Sequence, residues 1–189
     1  MRIIAGKRRG AILTRLDASN TRPTADRARE SLFNILQGGH FGTCLEGAVV
    51  IDLFAGSGAL GLEALSRGAA YTSFVERDAV ALSVIRANIA KLRFQDSSIV
   101  IAADATNLVH WRGEKASLVF ADAPYGTAGG LIAVANCARI GALASNAVVV
   151  IETGKGETLD TSLLQNGRLQ PVETRRYGRA CLHFLTCSA

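Results

Sequence analysis

From residue 49 onward the chain alternates short apolar runs with helix-like segments, and no other feature restricts its fold as much. The runs at 48–54, 72–76, 99–103, 118–121 and 147–152 are nearly continuous in apolar residues. Strands buried on both faces read this way. Between them, 59–66, 79–92 and 131–140 read as helices, the first closing at Gly68 and the last carrying small residues on its packed face. A short helix is expected near 107–111. Such alternation predicts an α/β fold built on a doubly wound, mostly parallel sheet. The C-terminal end departs from it: 173–177 and 180–186 are separated only by Gly178-Arg179. A tight hairpin is expected there, and it forces the last strand to run against the sheet.

The segment before about residue 46 has a different character. Arg2-Ile-Ile-Ala and Ala11-Ile-Leu-Thr flank Gly6-Lys-Arg-Arg-Gly10, as in a short basic hairpin. Arg22-Pro-Thr24 interrupts extended structure, and Thr24 is the expected N-cap of a helix. Ala28, Leu32, Ile35 and Leu36 follow at helical spacing, with Phe33 widening the stripe. The expected division is a basic extension over 1–42 and a catalytic domain over 43–189. Residues 1–42 hold eight basic and three acidic side chains, so the whole net charge of +5 resides there. A block of this kind suits a polyanion.

With 189 residues, 49% of them hydrophobic and 20% charged, the chain can bury a real core and is not of disordered composition. No apolar run is long enough for a bilayer span, and the opening turns basic too soon for a signal peptide. A cytoplasmic protein is expected, without membrane attachment. Cys44, Cys137, Cys181 and Cys187 form no CxxC pair, and His40, His110 and His183 are scattered. Free thiols and no metal site follow.

Two stretches carry chemistry. Gly56-Ser-Gly58-Ala-Leu-Gly61 has GxGxxG spacing between a strand and a helix, and Glu76 ends the next strand twenty residues after Gly56. The pattern alone also fits a dinucleotide, with a pyrophosphate at the helix N-terminus and the acid on a ribose. Three details favour S-adenosylmethionine. Asp52, just before the turn, would repel a pyrophosphate and suits an ammonium or sulfonium. Asp104, after the third strand, can accept a bond from an adenine amine. The reversed terminal strand completes the set.

The second stretch is Asp122-Ala123-Pro124-Tyr125, at the end of the fourth apolar run. Ligands bind at strand ends in such sheets, and an uncompensated carboxylate there would be costly. Asp122 and the Ala123 carbonyl can each accept one N–H of a planar exocyclic amine, and Tyr125 can stack on its ring. Asp122 also faces the positive charge that grows on the nitrogen as it attacks a methyl. Methyl transfer to the amine of a base is the expected chemistry. Adenine N6 and glutamine amide acceptors remain open, as does a nicotinamide oxidoreductase that would leave Asp122–Tyr125 unused.

The chain resembles the RsmD family of small-subunit ribosomal RNA guanine-N2 methyltransferases. The resemblance rests on Arg2-Ile-Ile-Ala-Gly-Lys-Arg-Arg-Gly10, Arg22-Pro-Thr-Ala-Asp-Arg-Ala-Arg-Glu-Ser-Leu-Phe-Asn34, Asp52-Leu-Phe-Ala-Gly-Ser-Gly-Ala-Leu-Gly61 and Asp122–Tyr125. It implies a Rossmann-like class I methyltransferase fold, S-adenosylmethionine as donor and a guanine of 16S RNA as acceptor. It also implies a donor site of Asp52, Phe54, Ala55, Gly56, Ser57, Gly58, Glu76, Arg77, Asp104 and Ala105, with Asp122, Ala123, Pro124 and Tyr125 on the base. Arg8, Arg9 and Arg22 are expected to contact RNA, as naked ribosomal RNA or a small-subunit assembly particle, and the protein is expected to be a monomer. The family tetrapeptide is Asp-Pro-Pro-Tyr. Ala123 at its second place keeps the carbonyl acceptor and loses one proline restraint.

Overall fold

The computed structural model describes residues 1–16, 23–42, 44–164 and 168–188. Within them, helix α1 (Pro23–Gln37) precedes β1 (Val49–Leu53), α2 (Ala59–Ser66), β2 (Tyr71–Glu76), α3 (Ala79–Leu92), β3 (Ser98–Ala102), β4 (Ala116–Asp122), α4 (Gly129–Arg139), β5 (Leu143–Gly154), β6 (Leu169–Tyr177) and β7 (Ala180–Cys187). The strands form one sheet in the order β3-β2-β1-β4-β5-β7-β6. β1 to β5 are parallel, and β7 enters antiparallel beside β5, in register from Val148↔Thr186 to Gly154↔Ala180. The β6–β7 turn falls at Gly178, whose φ of 60° suits glycine. The expected α/β sheet with its reversed terminal hairpin is therefore present.

Helices cover both faces. One core cluster gathers Val50, Phe74, Phe120, Val150 and Phe184 from the sheet with Leu32, Phe33, Leu36 and Leu62 from α1 and α2. The other gathers Ile51, Val119, Val149 and Leu185 with Leu131, Val134 and Cys137 of α4. Alternate residues of each strand thus feed opposite cores, which explains the continuous apolar runs. The two edge strands are the exceptions: β3 leaves Ile99 48% exposed, and β6 leaves Val172 47% exposed. Gly61 is forced by closeness, since a Cβ there would lie 2.4 Å from Phe74 Cε1.

Two local expectations need correction. α1 begins at Pro23, so Thr24 lies inside its first turn and not at the cap. Proline is well suited to that first position because its missing N–H has no partner to lose. The short helix expected near 107–111 is a 3-10 turn at Ala105–Asn107 instead, capped by Asp104. The expected short N-terminal hairpin is present: Ile3 and Ala11, Gly10 and Ile3, and Leu13 and Met1 share backbone bonds about the antiparallel bridge Arg2↔Ile12, around a 3-10 turn at Gly6–Arg8.

That N-terminal segment is bonded into the sheet domain. Ile3 and Leu13 belong to the first core cluster. The fully buried Glu63 carboxylate accepts the Ile4 and Ala5 amides at 2.8 and 3.0 Å and pairs with Arg67 at 2.7 Å. Arg67 also donates to Gln37 and lies over the Phe33 ring at 4.9 Å. Both buried charges are satisfied, as burial demands. The four cysteines are free thiols. Among the described residues, no helix is long and apolar enough to cross a membrane, and no group of acids, histidines and cysteines could hold a metal ion.

Candidate active site

Four strands carry an acid at or within two residues of their C-terminal ends, at the same edge of the sheet. Asp52, Glu76, Asp122 and Glu152 each stand two residues beyond a member of the first core cluster (Val50, Phe74, Phe120, Val150). Side chains alternate along a strand, so all four belong to the face that α1 and α2 cover. Asp104 joins them from just beyond β3.

The Gly turn after β1 is shaped by backbone conformations that few residues adopt. Phe54, Gly56 and Gly58 have φ of 59°, 56° and 78°. A phenylalanine at positive φ is an outlier of the kind found at functional turns. Two acids hold this turn. Asp52 Oδ2 accepts the Gly61 amide at 2.9 Å, and Glu76 Oε2 accepts the Gly56 amide at 2.9 Å. Glu76 Oε1 accepts the amides of Arg77 and Asp78 as well.

Beside the turn lies a cavity of about 590 Å³, walled by Phe54, Glu76, Arg77, Asp104, Ala105 and the Asp122–Tyr125 loop, among others. Here the structure brings together half of the residues expected to hold the donor: Phe54, Glu76, Arg77, Asp104 and Ala105. Asp52, Ala55, Gly56, Ser57 and Gly58 form the turn and do not wall the cavity. Asp52 is only 2% exposed, and burial pushes its carboxyl up to about 8 despite the Gly61 amide. Its bond to the Gly61 amide holds the turn's shape. Asp104 caps its 3-10 turn through the Thr106 amide and hydroxyl, and its other oxygen pairs with Arg77 at 2.9 Å. The Thr106 bonds, then Arg77, hold its carboxyl below the usual carboxylate range.

Asp122 ends β4, and its tip meets solvent in the cleft while protein crowds its other sides. That crowding, with repulsion from Glu152, pushes its carboxyl well above the usual range. Ala123 is buried, and the loop beyond it is tied twice. Thr127 Oγ1 donates to the Pro124 carbonyl at 2.8 Å, and the Gly126 amide donates to Glu157 at 2.9 Å. These bonds restrain the loop just beyond Ala123. Tyr125 donates its hydroxyl to Glu152 Oε1 at 2.6 Å, and its ring lies against Gly154, where a Cβ would stand 3.3 Å from Cγ and Cδ2. Burial and the Glu152 bond raise the phenol's pKa, so it stays protonated.

Glu152 is the site residue that sequence reasoning missed. It ends the fifth apolar run as Asp122 ends the fourth, and the two are register partners on neighbouring parallel strands. Asp122, Tyr125 and Glu152 also wall a second cavity of about 200 Å³, closed by Leu32, Leu60 and Arg29 on one side and Tyr177, Arg179 and Leu182 on the other. Only Asp122 and Tyr125 are common to both cavities.

The basic N-terminal turn lies elsewhere. Arg8 donates from Nε to the Leu92 carbonyl at 2.7 Å, its amide bonds Ser66, and its guanidinium lies over Phe94. Leu92 and Ser66 end α3 and α2. These helices return antiparallel to the strands they follow, so their C-termini lie at the sheet edge opposite the acids. Arg8 thus closes a helix end, Arg9 is exposed beside it, and neither borders the cleft. Arg22 lies outside the described residues.

Comparison with known proteins agrees with this geometry. The family model described as Conserved hypothetical protein 95 matches residues 1–186. The Ribosomal RNA small subunit methyltransferase D of Escherichia coli is 39% identical over 125 residues, 66% of this chain and 60% of that protein. Its namesake in Haemophilus influenzae is 34% identical over 85% of this chain and 82% of that one. A solved structure of the Escherichia coli protein yhhF superposes with a TM-score of 0.81 at 29% identity, covering 100% of this chain and 98% of the other. The chain belongs to the Conserved hypothetical protein 95 family, the RsmD family that its opening and Arg-Pro-Thr segments resemble.

Proposed function

We propose that this protein methylates the exocyclic N2 amine of a guanine in small-subunit ribosomal RNA, with S-adenosylmethionine as donor. One observation carries the reading: two cavities of different size meet at Asp122 and Tyr125, so a donor and an acceptor can approach the same carboxylate from opposite sides. The larger cavity fits the donor by its chemistry. Glu76 offers an acceptor position for ribose hydroxyls, Asp104 and the Ala105 region suit an adenine, and Phe54, which opens the positive-φ turn, supplies an apolar wall. When bound, S-adenosylmethionine supplies an electrophilic methyl carbon.

The protein's own groups do the rest. An aryl amine is a weak nucleophile because its lone pair is delocalised into the ring. Asp122 and the Ala123 carbonyl accept its two N–H bonds and favour a pyramidal nitrogen with its lone pair free. The Asp122 carboxylate faces the charge that grows on that nitrogen, and preorganised charge of this kind is often the largest catalytic contribution. The same carboxyl can take the proton that the nitrogen releases. Tyr125, backed by Gly154 and held by Glu152, offers its ring for stacking, worth about 1–3 kcal/mol per base. The ribosomal substrate is supported by family membership and by the names of the two relatives.

The test is to incubate the protein with S-adenosylmethionine and small-subunit RNA, naked and in assembly particles, and to identify the methylated nucleoside by mass. N2-methylguanosine is expected in one of the two substrates. N6-methyladenosine, or no methylated nucleoside in either, would overturn the reading.

A further inference from the structure

The second cavity has a composition that the methyl donor does not account for. Its floor holds two carboxylates side by side: Asp122 and Glu152 are register partners on adjacent parallel strands, roughly 4.8 Å apart, and belong to the same face of the sheet. Leu32 and Leu60 supply apolar wall, and Tyr125 supplies an aromatic one. The Tyr125 hydroxyl occupies Oε1 of Glu152 and fixes the carboxylate at the cavity. An ionised carboxylate accepts at about four lone-pair positions, so one such bond leaves most of its capacity for a ligand. The floor is thus an edge made of acceptors, suited to a flat ring that presents adjacent donors and repelling one that presents a lone pair.

Guanine is such a ring. Its N1–H stands next to its 2-amine, whereas adenine has an unprotonated N1 next to its 6-amine. We infer that the second cavity is the pocket for the acceptor purine and that Glu152 accepts the guanine N1–H, beside the amine held by Asp122. This inference rests on the guanine-N2 reading above and adds the group that selects the base. With N1–H on Glu152 and one amine hydrogen on Asp122, the ring is fixed at two points on one edge. The amine nitrogen is thereby brought to the junction of the two cavities.

The test uses small-subunit RNA ligated to carry either guanine or 2-aminopurine at the methylated position. 2-Aminopurine keeps the 2-amine and presents a bare N1. A hydrogen bond to a charged group is worth roughly 10- to 100-fold, so the parent should prefer guanine in kcat/KM by about that factor. Glu152→Gln should lower the rate on guanine and abolish the preference, because an amide can donate to a bare N1 as readily as it accepts from N1–H. Retention of the parent's preference in Glu152→Gln overturns the inference. Unchanged affinity for S-adenosylhomocysteine certifies that the variant is folded. If that affinity is lost, Glu152→Asp carries the test: it keeps the charge at shorter reach and should methylate guanine more slowly while keeping the preference, and an unchanged guanine rate overturns the inference. Absence of N2-methylguanosine from the parent on the guanine RNA is a different result, and defeats the functional reading itself.

Discussion

The acids of the proposed donor side and those of the proposed acceptor side occupy equivalent strand ends, yet their surroundings differ. Asp52, Glu76 and Asp104 hold the protein's own groups: the Gly61 and Gly56 amides, the 77–78 turn, and Thr106 with Arg77. Asp122 and Glu152 stand as neighbours whose charges repel, and their one bond between them in the cleft is to the Tyr125 hydroxyl. Acids that shape a turn have protein partners before any ligand arrives, and one of them, Asp52, is buried with its carboxyl raised. Asp122 and Glu152 are raised too, but they wall the cleft with most of their acceptor positions open to a ligand. Strained or unsatisfied groups concentrate at functional sites for this reason.

The contrast is most exposed at Asp122. Replacement by asparagine should lower single-turnover methylation by about 10²–10³-fold, the usual cost of losing one preorganised electrostatic group. The pH profile should change with it. The Asp122 carboxyl is raised above the ordinary range, so it is protonated and unable to accept at low pH; the parent's rate should climb as pH rises through neutrality. In Asp122→Asn that limb should flatten. A limb that persists unaltered assigns the titration to another group.

Gly154→Ala should be the next largest. The new methyl would stand 2.5 Å from Glu157 Oε1, which holds the Gly126 amide, and 3.3 Å from Tyr125 Cγ and Cδ2, displacing the 122–127 loop and the ring proposed to stack on the base. A displacement of this size costs on the order of 10-fold or more in rate. Donor affinity should be unchanged, so a parallel loss of S-adenosylhomocysteine binding would show that the two sides are not separable.

Asp52→Asn probes the opposite kind of acid through stability. The folded Asp52 carboxyl titrates at about 8 against an ordinary 3.8, so between those values the folded state holds a proton that the unfolded state has lost. Folding is therefore weakened as pH rises through that window. The asparagine variant cannot pay this cost and can still accept the Gly61 amide. Relative to the parent it should gain at least about 1 kcal/mol, or ~2–4 °C in melting temperature, between pH 5 and pH 8.5. A constant difference across that range would mean that Asp52 is ionised in the fold.

The smallest effect concerns RNA. Arg179 borders the second cavity and Arg9 lies at the far edge of the sheet. Arg179→Ala should reduce the slope of log K against log salt by about one, the signature of one lost phosphate contact. Arg9→Ala should leave affinity and slope unchanged. The reverse pattern would restore the basic N-terminal turn as the RNA contact.

What could be read from the sequence follows from how local each property is. Strand–helix alternation, the Gly turn and the terminal hairpin are encoded in contiguous residues, and all of them are present. Asp122–Tyr125 was legible because an acid, a proline and an aromatic ring stand together after an apolar run. Glu152 carries the same signal, an acid after Val148-Val-Val-Ile151, but its role appears only when β5 pairs with β4. Arg8 shows the converse. Its charge was plain, while its place depends on the N-terminal segment running along α2 to the Leu92 carbonyl, which no local pattern states. Asp52 was found at the right strand end, yet its use depends on the Gly61 amide reaching back over it.

The central claim is that one side of the cleft holds the donor and the other the acceptor. Calorimetric titration of S-adenosylhomocysteine into the parent, Glu76→Ala and Asp122→Asn tests it most directly. Glu76→Ala loses the carboxylate that walls the donor cavity and anchors the Gly56 amide, and should weaken binding by about 10- to 100-fold. Asp122→Asn, despite its crippled turnover, should bind as the parent does. Equal losses in the two variants, or unchanged affinity in Glu76→Ala, would contradict the division.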